Sequence, residues 1–130
     1  MRYLLDTHVL IWSQDEPEKL PAGVAALLLD PANERILSVV SSWEIAIKVI
    51  IGKLTLSKPF RQWVETTVDE LLLVELGISL NHLEALFTLP ASDHKDPFDR
   101  LLAAQALSEG VGIVSNDAKL DQFGVSRIWS

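Results

Sequence analysis

Four carboxylates in this chain stand where acids can do chemistry. Asp6 ends the apolar run Tyr3-Leu4-Leu5, Glu44 opens a helical stretch after Ser41-Ser42, Asp99 follows Asp96-Pro97-Phe98, and Asp117 follows Ile113-Val114-Ser115 and Asn116. Gathered at one place without basic partners, four such groups repel one another, and bound cations are what readily offset that. The chain has no cysteine, and its three histidines show no ligand spacing, so an oxygen-only donor set points to Mg²⁺ or Mn²⁺ rather than zinc. Thr7 and Ser115 stand beside these acids as hydroxyls able to orient them. The ordinary reading of any one acid is different: Asp96 is a good N-cap, Pro97 suits a first helical position, and an acid in a first turn favours the helix dipole. Whether the acids converge depends on the elements that carry them.

Those elements alternate. Tyr3-Leu4-Leu5 reads as a short buried strand, followed by a helix opening at Asp6 or Thr7 and by a second helix from Pro21 to Leu29. Arg35 to Val40 is the next strand, and Ser41 or Ser42 caps a helix from Trp43 to Ile51 that ends at Gly52. An exposed helix from Phe60 to Glu70, a strand over Leu72 to Glu75 and a helix from Ser79 or Asn81 towards Pro90 come next. Ala91 to Lys95 is a polar loop, Asp96 to Gly110 a helix, Val111 to Ser115 a strand, and Val125 to Trp129 a last short strand. The alternation predicts a single α/β domain over residues 1–130, three layers deep, with a mainly parallel sheet of four to five strands between helices. In such sheets ligands sit beyond the carboxyl ends of the strands, which is the edge to which all four acids are delivered.

At these residues the chain resembles the PIN-domain nucleases, most closely the VapC-type toxins of toxin–antitoxin pairs. The likeness is carried by Leu4-Leu5-Asp6-Thr7-His8-Val9-Leu10-Ile11-Trp12, by Ser42-Trp43-Glu44-Ile45-Ala46, by Asp96 to Ala106 and by Ser115-Asn116-Asp117, four motifs in order across essentially the whole chain. The resemblance implies metal-dependent cleavage of RNA with the metal held mainly by Asp6 and Asp99, while Glu44 and Asp117 match the family's other acidic positions and Asp96 falls just outside them. Two divalent ions on shared carboxylates would acidify a water, aim it at phosphorus and neutralise the leaving 3′-oxygen. In that scheme Asp6 and Asp99 are direct ligands, Glu44 acts through water or as a base, and Asp117 serves the weaker second ion. The expected partners are RNA, a small antitoxin of the VapB type and a second copy of the chain. Ile11, Trp12, Ile47 and Ile50 are candidates for the antitoxin's groove, although at least half of them are expected in the protein's own core.

Composition sets the limits. Hydrophobic residues make up 48% of the 130, too many for a disordered chain. The longest apolar stretches are far below a membrane span and Asp6 and His8 interrupt the N-terminal run, so a cytoplasmic protein is expected. The net charge of −7 argues against general polyanion binding. Setting aside Asp6, Glu44, Asp96, Asp99 and Asp117 leaves 13 acids against 11 bases, so a metal-filled site would lift most of the objection. Lys48, Lys53, Lys95 and Arg100 are candidate phosphate contacts, each with solvated surface as the plainer alternative. His82 and His94 receive no site role, and His8 reads as a packed or hydrogen-bonded group rather than a ligand. The four tryptophans read mostly as core or interface, an exposed one being able to stack a base. A receiver-type signalling domain needs a phosphorylatable aspartate after a mid-chain strand, and residues 49–58 have none. A haloacid-dehalogenase-like phosphatase needs a second aspartate where His8 stands. A member that binds a partner without cutting would keep the fold and lose only the activity.

Overall fold

The computed structural model describes residues 1–91 and 95–130, so most of the expected polar loop, His94 included, lies outside the described residues. The chain runs β1 (Arg2–Leu5), α1 (Thr7–Asp15), α2 (Ala22–Leu29), β2 (Glu34–Ser38), α3 (Val39–Ile50), α4 (Phe60–Leu71), β3 (Val74–Leu76), α5 (Leu80–Ala85), α6 (Pro97–Glu109), β4 (Gly112–Val114) and β5 (Arg127–Ile128). Short 3-10 turns occupy Pro17–Lys19, Leu86–Thr88 and Ala118–Phe123. All five strands are parallel, in the order β3-β2-β1-β4-β5. The chain therefore starts in the middle of the sheet, builds outward to β3, and crosses back to build β4 and β5. The reversal puts a topological switch point between β1 and β4.

Alternation along each central strand divides the core in two. Leu4, Ile36 and Ile113, which are register partners, face Leu101, Leu102, Ala103, Ala106 and Phe123. Leu5, Leu37 and Val114 face Val9, Leu10, Val24 and Trp63 on the other side. A strand buried on both faces has no polar side to show, which is why these runs are continuously apolar. In α6 the three small residues Ala103, Ala104 and Ala106 are all buried and let that helix lie close on the sheet. Gly112 opens β4 in close quarters, where a Cβ would meet the Ile128 side chain at 2.8 Å and the Ser126 carbonyl at 3.3 Å, so a larger residue would require Ile128 to shift.

One boundary differs from the sequence expectation in a way that matters for the site. Val39 and Val40 belong to α3 and not to β2, and the cap is Ser38, whose hydroxyl accepts from the Val40 N–H at 3.0 Å, rather than Ser41 or Ser42. Two β-branched residues read as strand, but a capped helix start overrides their propensity. Glu44 consequently lies beyond the first turn of α3. The sequence also gave no sign of the 3-10 turn Ala118–Phe123, which Asp117 caps by accepting from the Lys119 N–H at 3.0 Å.

Candidate functional site at the carboxyl edge of the sheet

Asp6 leaves the end of β1 as the N-cap of α1, with its own N–H donating to the Val114 carbonyl of β4 at 3.0 Å. Its side chain is 2% exposed. The Thr7 N–H donates to Oδ1 at 2.7 Å and the Ser115 hydroxyl donates to Oδ2 at 2.6 Å, so both oxygens are held. Burial pushes the Asp6 carboxyl above its ordinary value; the Ser115 and Thr7 hydrogen bonds and the charge of exposed His8 oppose the rise, and Glu44 adds to it. Asp6 and Glu44 are thus close enough to feel each other's charge.

Glu44, also buried, is oriented from both ends. The Thr7 hydroxyl donates to Oε1 at 2.7 Å and lies 3.1 Å from the Ser41 Oγ, while Lys48 Nζ, one turn along α3, sits 2.9 Å from Oε2. Thr7 therefore touches both acids, by its amide to Asp6 and its hydroxyl to Glu44. Ser115 links the third: its Oγ accepts the Asp117 N–H at 3.0 Å while its proton goes to Asp6. Arg127 of β5 donates to the Ser115 carbonyl at 3.2 Å and pairs with Asp121, which holds the Asp121 carboxyl below its ordinary value.

The fourth acid arrives from the other face. Because α6 leads into a strand parallel to the others, it begins at the carboxyl edge, and its first turn brings half-buried Asp99 there. Asp96 is the cap, accepting from the N–H groups of Phe98 at 2.9 Å and Asp99 at 3.2 Å. Phe98 packs edge-on against Trp43 of α3 with ring centroids 4.9 Å apart, which fastens the start of α6 beside the helix that carries Glu44.

The donor set suits a hard divalent cation: carboxylates and hydroxyls, no thiolate, and a buried Asp6 whose charged form is disfavoured by burial. Among the described residues no three acidic or histidine side chains already stand close enough together to hold an ion. An ion there would complete its shell with water or substrate oxygens, as Mg²⁺ generally does. Of the basic residues considered for phosphate contact, Lys48 is engaged with Glu44, Arg100 lies over the Phe123 ring at 5.2 Å, and Lys53 and Lys95 are exposed. Of the groove candidates, Ile11 is in the core, Trp12 and Ile47 are half-buried, and Ile50 is 81% exposed. Residues that the sequence did not single out are Ser38, Gln105 and His82, all buried. For Gln105 and His82, a polar side chain at a core position of a helix was the signal that could have found them.

Comparison with known proteins supplies the frame. The PIN domain family model matches residues 3–125. The chain is 30% identical over 117 residues to Ribonuclease VapC22 of Mycobacterium tuberculosis, a stretch covering 90% of this chain and 88% of that one. Its fold is similar to a chain of VapBC2 from Rickettsia felis, solved bound to a promoter DNA fragment, with a TM-score of 0.73, 19% identity and full coverage of both chains. It is also similar to a chain of VapBC-1 from nontypeable Haemophilus influenzae, with a TM-score of 0.65, 20% identity and coverage of 98% and 97%.

Proposed function

Since the chain belongs to the PIN-domain family, we propose that it is a divalent-metal-dependent endoribonuclease, the toxin of a VapBC-type pair, with RNA as substrate and a small VapB-type antitoxin as partner. The observation that carries the reading is the arrangement at the switch point, where Asp6 is buried, held by Thr7 and Ser115, and electrostatically coupled to Glu44. A receiver domain or a dehalogenase-like phosphatase would belong to another family.

In this reading Asp6 and Asp99 hold the metal directly, with Glu44 and Asp117 supporting it, and the metal, Mg²⁺ or Mn²⁺, supplies activation of water and stabilisation of charge on the phosphate. The chain's own residues do the positioning. Thr7 and Ser115 fix the carboxylates so that little reorganisation is needed when an ion binds. Lys48 holds Glu44 in place and offsets part of its charge while the site is empty of substrate. A homodimer belongs to the same reading: Leu80 is 81% and Phe87 87% exposed on α5 and the turn after it, an apolar face suited to a second copy.

The test is cleavage of total RNA by purified protein with Mg²⁺ or Mn²⁺, with and without chelator. Asp6→Asn and Asp99→Asn should each lower the rate at least about 100-fold, equivalent to roughly 2.7 kcal/mol in the barrier. Asp96→Asn should change it little, because asparagine caps a helix equally well. Chelator-resistant cleavage, or full activity in Asp6→Asn, would refute the assignment. In cells, expression of the intact protein should slow growth, and co-expression of its antitoxin should relieve the effect.

A further inference from the structure

The two helices that carry Glu44 and Asp99 are pinned to each other away from the acids by one buried amide. Gln105 of α6 is fully buried. Its Oε1 accepts the hydroxyl proton of Ser38, the cap of α3, at 2.5 Å. Its Nε2 donates to the Gly77 carbonyl at 3.2 Å and lies 3.3 Å from His82 Nδ1. That ring nitrogen also accepts the Ser79 N–H at 3.0 Å. Two N–H donors face Nδ1, so its proton must be absent, and the ring donates instead from Nε2 to Glu109 Oε2 at 2.9 Å. Glu109 in turn lies 3.8 Å from Arg2 Nη2. The tautomer of His82 thereby fixes which way the Gln105 amide points. The nitrogen end meets acceptors on the α5 side, and the oxygen end is left to take the Ser38 proton.

We propose that Gln105, oriented by His82, is a positioning residue that sets the spacing between the α3 and α6 carboxylates at the carboxyl edge of the sheet. The inference rests on the proposed metal-dependent function of that edge. A hydrogen bond between β2's last residue and the middle of α6 is not needed to bury either element, since both are already packed in the apolar core. Its particular effect is on relative placement: Ser38 begins the helix bearing Glu44, and Gln105 lies on the helix bearing Asp99. A shift of about 1 Å between groups that share a ligand can cost on the order of 100-fold in rate.

Two sets of variants test this, read by Mn²⁺ affinity without RNA, by kcat against KM, and by thermal melting. Gln105→Met keeps the volume and removes the amide. It should lower Mn²⁺ affinity and kcat about tenfold each, leaving KM within about twofold and the protein folded. The second set separates the two ring nitrogens of His82. Asparagine puts a carbonyl oxygen near the Nδ1 position and loses Glu109, so His82→Asn should fall less than about threefold. Glutamine reaches towards Glu109 and leaves Nδ1 unreplaced, so His82→Gln should behave like Gln105→Met. Wild-type Mn²⁺ affinity in Gln105→Met, or equal losses in the two His82 variants, would overturn the proposal even if Gln105→Met proved hard to fold. Asp6→Asn serves as the reference. If it loses Mn²⁺ while Gln105→Met does not, only the positioning role fails; if it binds Mn²⁺ as the wild type does, the metal reading of the edge fails.

Discussion

Burying a carboxylate next to another, as this chain does with Asp6 and Glu44, opposes folding whenever both are ionised. Because burial raises the folded-state value of Asp6 above 3.8, the folded chain binds a proton that the unfolded chain has already released over the interval between the two values. Stability from this group is fully present below its ordinary value and is lost as pH rises through the raised one. In chelator, Asp6→Asn should therefore melt higher than wild type at neutral pH, by roughly 3–5 °C for each 1 kcal/mol relieved in a domain of this size. The difference should disappear below about pH 3.8, where both forms are neutral. A lower melting temperature at neutral pH would mean that the Ser115 and Thr7 hydrogen bonds outweigh the cost of the buried charge. Asp6 stood out in the sequence because it ends an apolar run, and Glu44 because it follows two serines able to cap a helix. Their hydrogen-bond partners were legible only in part: Thr7 and Ser115 are sequence neighbours of an acid, whereas the lysine on Glu44 had looked like a phosphate contact.

Among the elements, α4 ends in an uncommon way. Leu72 is its C-cap at φ 51, the only non-glycine residue with positive φ among those described, and its side chain is 71% exposed. A left-handed conformation costs a branched residue roughly 1–2 kcal/mol and gains nothing from an exposed side chain. Leu72→Asn should stabilise the protein by up to about 1 kcal/mol, measured by chemical denaturation with the slope unchanged. An unchanged or lower midpoint would show that Leu72 packs in solution more than its exposure indicates. The same logic explains what could be read of α6 and not of α3. Helix α6 announces both its ends, with Asp96-Pro97 at the start and Gly110 in the left-handed C-cap at φ 66. Helix α3 starts on valines, and its cap is a serine that also closes a strand, so the pattern of residues favoured the strand.

For the whole molecule the parallel direction of the strands followed from their alternation with helices, which puts their ends on one edge, whereas their order in the sheet did not follow from it. What alternation could not supply was the packing between helices on opposite ends of the chain, where Gln105 meets Ser38 and His82. The proposed homodimer would use the exposed apolar residues of α5 and the turn after it. Leu80→Glu combined with Phe87→Glu should convert a dimer into a monomer in sedimentation experiments, and a double variant that sediments like wild type would place the interface elsewhere. Among the described residues no helix is long and apolar enough to cross a membrane. The bond between Ser115 and Asp6 spans 109 residues of sequence. During synthesis at about 5–20 residues per second, the first carboxylate of the site waits roughly 5–20 s for the serine that holds it. In the proposed reading, the site that would cut RNA cannot assemble until Ser115 has been made, long after its first acid.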